Sequence, residues 1–364
     1  MGYLGPMARA NQSKALKRQG KAPLKMADIA RLAGVSTSTV SRALAESPAI
    51  PIKTRQQIQR IAAESGYVIN QTAQRLRSNR TRTIGVAIPL GHESDQLISD
   101  PFFLQLFGHI ADEVSLRNHD VLLSRVPSPK PGWLVRHVQS QKADGYIIVG
   151  QSDQHEELNA AARAFLPLVV WGAHLPEQAY CSVGSDNVGG GRAAADRLIE
   201  TGRRRIVFLG AAPLPEIQMR LQGYRTGLER AGLSVDPDLI LPAHFTGDTA
   251  LAAVQDLISR GVRFDAIFAA SDVIALSALR ALEASGVSVP DQVAVVGFDD
   301  LELAEHSHPR LTTIRQDLKR GAATVVEFLF RRMAGEETPS ATLPISLVER
   351  ESTPPVSSRG ASEA

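Results

Sequence analysis

The sequence predicts an all-α headpiece of three short helices, followed by an α/β core of two doubly wound parallel-sheet subdomains. Residues 1–82 hold 15 lysines and arginines against 3 acidic residues. The whole chain has 40 basic and 38 acidic residues, so the remainder is acidic. Helical spacing of apolar residues up to about residue 65 gives way to short β-rich runs from residue 83. A chain of 364 residues is also too long for one compact core.

Three helices are predicted in the headpiece. Apolar residues at positions i, i+3 and i+4 give one buried face to a first helix, which starts at Met26 and ends at Gly34. Ser36 is placed to cap the second helix, over residues 37–45, and the third helix covers residues 52–65. Two short helices joined by a tight glycine turn are the helix-turn-helix arrangement that binds the major groove of DNA.

The start of the second helix carries the short polar side chains that a recognition helix needs. The basic charge of this part of the chain also favours a polyanionic partner. Two alternatives stay open: Ser36 only caps the helix, and Arg42 is an ordinary solvated charge. The predicted base-reading residues are Thr37, Ser38 and Arg42, and the predicted phosphate-binding residues are Ser36, Thr39 and Ser41.

Strand and helix patterns alternate in the core, which predicts parallel sheets. Seven or more such units exceed one small sheet, so we expect two similar subdomains with a ligand cleft where the carboxyl ends of their strands face each other. The β-rich runs are residues 84–88, 121–123, 145–149, 168–170, 205–209, 266–269 and 293–297. Helical patterns between them include residues 103–117, 188–201, 220–231 and 273–285.

Composition argues against several classes of protein. The single cysteine, Cys181, excludes an internal disulfide framework and fits the reducing cytoplasm. No cysteine and histidine cluster suggests a metal site, and we expect no cofactor. Residues 1–25 lack the apolar segment of a signal peptide, and no run of about 18 apolar residues predicts a membrane span.

The run from Met26 to Leu44 resembles the headpiece of the LacI/GalR (lac repressor) family of bacterial transcriptional regulators. The resemblance implies an all-α helix-turn-helix headpiece plus hinge helix, followed by an α/β periplasmic-binding-protein-like core of two doubly wound parallel-sheet subdomains. It continues through Gly66-Tyr67 and the hinge segment at residues 70–77. In the core it is carried by Pro101-Phe102-Phe103, Asp186-Asn187 and residues 220–224, 297–300 and 311–316.

The family resemblance also implies DNA contacts beyond the three headpiece helices. Leu76 matches the position whose apolar side chain enters the minor groove at the operator centre, and Ala73 is small where two hinge helices approach each other. A helix this short is unstable alone, so we expect it to fold only on DNA against a partner copy. The alternative is a polar linker in which Leu76 packs on the core. The further contacts implied are Tyr67, Asn70 and Arg77.

The same resemblance points to an effector site in the cleft. Arg220 matches the arginine that binds effector hydroxyls, and Asp299 matches the acid opposite it; an arginine, carboxylates and an aromatic face suit a polyol. Alternatively, Asp299 and Asp272 cap helices or shape turns, and Trp171 packs in the core. Family contacts near the long charged loop at residues 90–100 do not carry over to this sequence. The predicted effector-binding residues are Phe102, Trp171, Arg220, Asp272, Asp299 and Gln316.

The predicted function is a DNA-binding transcriptional repressor that binds a pseudo-palindromic operator as a homodimer and is controlled by a carbohydrate inducer. A purine or nucleoside co-repressor is the alternative. An enzyme on a doubly wound fold is a more distant alternative, since the sequence has no Gly-x-Ser-x-Gly elbow or P-loop. A solute-binding protein leaves the basic headpiece unexplained. The predicted parts are a flexible basic arm (1–25), the helix-turn-helix domain (26–69), the hinge helix and linker (70–82), the effector-binding and dimerisation core (83–350) and a disordered tail (351–364).

Overall fold

A computed structural model of the protein describes residues 24–67, 80–92, 95–165, 167–210, 212–245 and 247–354. The chain divides into two compact units, Met1–Arg80 and Thr81–Ala364. Among the helices of the described ranges, none is long and apolar enough to cross a lipid bilayer. Some predictions lie outside these ranges: the arm up to residue 23, the hinge contacts Asn70, Ala73, Leu76 and Arg77, and the tail after residue 354.

The headpiece consists of three helices, α1 (Met26–Ala33), α2 (Thr37–Leu44) and α3 (Ile52–Glu64), which confirms the predicted arrangement. Gly34 ends α1 at a φ of +66°, a left-handed conformation that glycine adopts most easily. Ser36 caps α2, because its Oγ accepts a 3.1 Å hydrogen bond from the backbone nitrogen of Thr39. The small core of the headpiece contains Ile29, Ala30, Val40, Ala43, Ile50, Ile58 and Ala62.

The core unit contains two subdomains, each built on a six-stranded sheet. The first starts with β1 (Thr83–Pro89), α4 (Pro101–Ser115), β2 (Asp120–Val126), α5 (Trp133–Gln139), β3 (Gly145–Val149), α6 (His155–Ala164), β4 (Leu168–Trp171) and β5 (Cys181–Ser185). The second contains α7 (Asn187–Glu200), β6 (Ile206–Leu209), α8 (Pro215–Arg230), β7 (Ile240–Leu241), α9 (Asp248–Ser259), β8 (Ala266–Ala269), α10 (Asp272–Ala284), β9 (Ala294–Asp299), α11 (Glu302–His306) and β10 (Thr312–Gln316). A final segment adds α12 (Leu318–Met333), β11 (Ala341–Leu343) and β12 (Ile345–Val348).

The chain crosses between the two subdomains three times: after β5, after β10, and between β11 and β12. The first sheet has the strand order β11-β5-β4-β3-β1-β2, and all its neighbours are parallel. The second has the order β12-β10-β9-β8-β6-β7, with β12 antiparallel to β10. The prediction of two doubly wound parallel-sheet subdomains is therefore confirmed.

Two predicted domain boundaries need correction. The backbone nitrogens of Thr81 and Arg82 donate hydrogen bonds of 2.6 and 2.8 Å to the carboxylate of Asp144, so the end of the predicted linker belongs to the core. The predicted disordered tail is wrong for residues 351–354. Ser352 is fully buried and its Oγ donates a 2.6 Å hydrogen bond to the carbonyl of Val295.

Candidate functional site

The start of α2 presents polar side chains to solvent. Thr37, Ser38 and Arg42 are exposed, whereas Val40 and Ala43, on the opposite face of the helix, are buried in the headpiece core. The buried face of the helix packs on the headpiece core, and the predicted base-reading side chains stay accessible on the other face, as entry into a groove of DNA requires.

The predicted phosphate-binding residues surround the cap of this helix. Ser36 is exposed, and its Oγ lies 2.9 Å from Oγ1 of Thr39 in addition to capping the helix. Thr39 and Ser41 are partly buried. Tyr67 is also partly buried and packs against the headpiece core. Ser36 therefore does act as a cap, which leaves a second role on DNA to be tested.

A cleft of about 850 Å³ opens in the core unit and is lined by residues of both subdomains. Six strands end at its wall, with the last residues Pro89 of β1, Val149 of β3, Trp171 of β4, Ser185 of β5, Asp299 of β9 and Gln316 of β10. Ligands of open α/β sheets bind outside the carboxyl ends of the strands, and this cleft has that location.

Arg220 extends from α8 into the cleft wall and is held there on several sides. Its Nε donates a 2.9 Å hydrogen bond to Oδ1 of Asn187, and its Nη1 donates to the carbonyl of Ala270. The guanidinium carbon lies 3.7 Å from the ring centre of Phe298, and Nη1 lies 3.8 Å from Oδ1 of Asp299. Only 6% of the residue is exposed. A guanidinium fixed in this way is a preorganised donor for ligand oxygens.

The approach of α8 to α7 places Arg220 in this position. A β-carbon at Gly191 would lie 2.0 Å from the carbonyl oxygen of Arg220, and one at Gly223 would lie 2.0 Å from that of Val188. Both helices therefore need glycine where they cross. The close crossing brings the backbone of Arg220 against the first turn of α7, which also carries Asn187.

Asp299 is a buried carboxylate at the end of β9. Its Oδ1 accepts a 2.7 Å hydrogen bond from Nε2 of Gln316. Burial raises the pKa of Asp299 to about 7, although the neighbouring Arg220 charge acts in the opposite direction. The carboxyl group therefore accepts or donates hydrogen bonds near neutral pH, depending on its protonation.

Asp272 was predicted to bind the effector, but it does not line the cleft. Asp272 is fully buried at the first position of α10, which is capped by Ser271. One carboxylate oxygen accepts a 2.6 Å hydrogen bond from Thr313 and the other a 2.8 Å hydrogen bond from the backbone nitrogen of Leu301. Burial, with the nearby charge of Asp299, raises the pKa of Asp272 well above its usual range. Its contacts are those of a structural residue behind the wall.

Both predicted aromatic residues line the cleft. Phe102 lies in the first turn of α4, partly exposed, with its ring edge-on to Phe103. Trp171 is only 5% exposed, and a β-carbon at Gly321 of α12 would lie 2.3 Å from its ring. The close contact with α12 favours the alternative that Trp171 packs mainly in the core.

Sequence reasoning missed several cleft residues, of which Glu216 is the clearest. Glu216 lies one helical turn before Arg220 on α8, so the helical period offered a signal for it. A β-carbon at Gly172, in the first subdomain, would lie 3.0 Å from Oε1 of Glu216, so this side chain reaches across the cleft. Burial raises the pKa of Glu216. The other missed polar residues of the wall are His92, Gln96, Asp100, Ser152, Ser185, Asn187 and Ser271.

Histidine, cysteine and acidic side chains do not form a metal site in the described ranges. No group of three or more of them is placed to hold a metal ion there.

Comparisons with known proteins identify both parts of the chain. The family described as bacterial regulatory proteins, lacI family, matches residues 25–70, and a periplasmic binding protein-like domain matches residues 195–353. The HTH-type transcriptional regulator CelR of Thermobifida fusca is 36% identical over 343 residues, covering 93% of this chain and 100% of CelR. The HTH-type transcriptional repressor CytR of Escherichia coli K12 is 30% identical, covering 90% of this chain and 95% of CytR.

Solved structures agree with these relatives. A CelR–cellobiose complex aligns with a TM-score of 0.66 and 33% identity, over 90% of this chain and 99% of that chain. A lac repressor dimer bound to operator and the anti-inducer ONPF aligns with a TM-score of 0.78 and 26% identity, over 91% of this chain and 99% of that chain. The protein therefore belongs to the LacI family of bacterial transcriptional regulators.

Proposed function

We propose that the protein is a transcriptional repressor that binds a pseudo-palindromic operator as a homodimer and leaves it when a carbohydrate binds in the core cleft. The observation that carries the effector half of this proposal is the fixed pair of Arg220 and Asp299, held by Asn187 and Gln316. As a member of a family of DNA-binding regulators, the protein would act in the cytoplasm.

On DNA, the exposed side chains of Thr37, Ser38 and Arg42 would contact base edges in the major groove. Ser36, Thr39 and Ser41 would contact phosphates beside the amino end of α2. The strongly basic segment up to residue 82 supports this role, since phosphate contacts dominate affinity for DNA. Tyr67, Asn70, Ala73, Leu76 and Arg77 remain predicted DNA contacts.

In the cleft, Arg220 would donate to the hydroxyl oxygens of a sugar, and Asp299 and Gln316 would bind hydroxyls beside it. Phe102 would face the apolar side of a sugar ring, and Trp171 is a weaker candidate for the same contact. The cellobiose complex of the related CelR supports a carbohydrate ligand for this chain. Nδ1 of His92 lies 2.7 Å from Oγ of Ser152 in the wall. We nevertheless infer no catalytic step, because the relatives of this chain are transcriptional regulators.

A thermal-shift screen of sugars and nucleosides tests the effector half. A ligand present at 100 times its Kd stabilises the folded protein by about 2.7 kcal/mol. We expect a sugar to raise the melting temperature of the parent and to have no such effect on Arg220→Ala. If only nucleosides stabilise the parent, the effector is a nucleoside and not a carbohydrate. If the sugar stabilises Arg220→Ala as much as the parent, the sugar does not bind in this cleft.

A further inference from the structure

We propose that Ser185 and Gln96 are effector-binding residues whose side-chain oxygens accept hydrogen bonds from ligand hydroxyls, so that the cleft selects an uncharged hydroxylated ligand over its phosphate ester. This inference rests on the proposed carbohydrate function and deepens it. Two independent features carry the inference: buried oxygen atoms that lack a donor, and the balance of charge in the wall.

Ser185 is the last residue of β5 and lies at the cleft wall with 6% of its surface exposed. Its Oγ is buried and has no hydrogen-bond partner in the described part of the chain. The backbone around it is well held, since the carbonyl of Ser185 accepts a 3.1 Å hydrogen bond from Nδ2 of Asn187. Asn187 in turn accepts from Arg220. A buried hydroxyl without a partner is rare in folded proteins and indicates a group that binds something else.

Gln96, which lines the cleft from the loop between β1 and α4, shows the same feature. It is 5% exposed, and its Nε2 donates a 2.9 Å hydrogen bond to Oδ2 of Asp100. This bond defines the orientation of the amide, because the reverse orientation would place the amide oxygen against a carboxylate. The oxygen Oε1 is therefore the atom that is buried without a donor among the described residues. Arg125 holds the backbone in place through a 2.9 Å hydrogen bond to the carbonyl of Gln96.

The polar groups of the wall favour an uncharged ligand over an anionic one. Asp100, Glu216 and Asp299 are its carboxylates, and Arg220 is the one lysine or arginine among the lining residues of the described ranges. Two donor nitrogens of that arginine are already used by Asn187 and the backbone. A phosphate group would compete with these carboxylates for the one arginine, whereas hydroxyl groups would supply the hydrogens that the oxygens of Ser185 and Gln96 lack.

The test uses the full-length protein and measures affinity by titration calorimetry for cellobiose, glucose and ribose, each paired with its terminal phosphate ester. For the sugar that binds the parent most tightly, we expect the phosphate ester to bind at least ten times more weakly. Ser185→Ala should weaken sugar binding about tenfold, equivalent to about 1.4 kcal/mol. It should not lower the melting temperature of the ligand-free protein, because the lost hydroxyl has no partner to lose.

Ser182→Ala is the matched control, because Ser182 lies on the same strand and is also buried. The Oγ of Ser182 accepts a 2.9 Å hydrogen bond from Nε2 of Gln178, so its loss should lower the melting temperature and leave sugar affinity unchanged. Gln96→Met provides a second variant, which should also weaken sugar binding.

Sugar affinity equal to that of the parent in both Ser185→Ala and Gln96→Met would overturn the assignment of these residues. A phosphate ester that binds as tightly as its sugar would overturn the selectivity. If none of the sugars binds the parent, the proposed carbohydrate function fails and this inference fails with it. Titration of the parent alone shows that outcome, so it is distinguishable from a failure of the residue assignment.

Discussion

Gln316 donates a 2.7 Å hydrogen bond from Nε2 to Oδ1 of Asp299, and this bond joins the ends of two neighbouring strands at the cleft wall. Asp299 has a φ of +124°, a backbone conformation that is strained for a residue with a β-carbon. The carboxylate of Asp299 lies between Gln316 and Arg220. These contacts hold the residue in its strained backbone conformation.

The stability of the protein should depend on pH through Asp299. Burial raises its pKa to about 7 in the folded protein, against a value near 4 when unfolded. The folded state therefore retains a proton that the unfolded state loses, and the stability from this group is lost as the pH rises through about 7. In Asp299→Asn the amide stays uncharged and has nearly the same shape as the carboxyl group. Between pH 5 and 8 we expect the melting temperature of the parent to fall by about 2–4 °C relative to the variant, the shift that about 1 kcal/mol produces. Parallel pH profiles of the two proteins would contradict this.

Substitution of Gly223 should separate α7 from α8. A β-carbon there would lie 2.0 Å from the carbonyl oxygen of Val188, so Gly223→Ala should cost about 1–3 kcal/mol and weaken effector binding by displacing Arg220. Gln222→Ala is the control, since Gln222 is exposed at the adjacent position of α8. Thermal unfolding and effector titration measure both effects. A Gly223→Ala protein as stable as the control would show that the helices need no glycine at their crossing.

Ser36 offers a way to separate capping from DNA contact. Ser36→Ala should lose about 1 kcal/mol of stability in α2, visible as faster hydrogen exchange of its amides. Ser36→Asp retains a capping oxygen and adds a negative charge. We therefore expect Ser36→Asp to keep the slow exchange and to bind DNA at least ten times more weakly. If Ser36→Asp binds DNA like the parent, Ser36 only caps the helix.

Arg42 is expected to read a base. Arg42→Ala should lose about 1–3 kcal/mol of binding to the preferred operator and relax the base preference at one position of each half-site. Arg60→Ala, an exposed arginine on α3, is the control and should leave base preference unchanged. Selection of binding sites from random duplexes measures the preference of each variant. An unchanged preference in Arg42→Ala would make Arg42 a solvated charge, as the alternative holds.

The headpiece was predictable because its signals are local. The glycine after α1, the serine before α2 and the spacing of apolar residues define the three helices to within about one residue at each end. In the core, β5, β7, β10, β11 and β12 went unpredicted, although β10 begins with three β-branched residues. The buried threonines of β10, Thr312 and Thr313, become recognisable only through their partners.

The cleft shows where local signals fail. Arg220, Asp299, Gln316 and Phe102 line it, as the family resemblance implied. Asp272 also lies beside a strand end, but position in the sequence does not tell whether such a side chain faces the cleft or the core behind it. Gln96 and Ser185 are recognisable only in the folded structure, because their side-chain oxygens are buried there without a hydrogen-bond donor.

The central claim is that a ligand in the cleft controls affinity for DNA. The direct measurement is fluorescence anisotropy of an operator duplex, obtained by selection, titrated with the full-length protein at saturating and zero concentrations of the sugar found by thermal shift. Coupling of about 1–3 kcal/mol predicts operator binding about 5–150 times weaker with the sugar in the parent, and no change in Arg220→Ala. Equal operator affinity of the parent with and without saturating sugar would contradict the account.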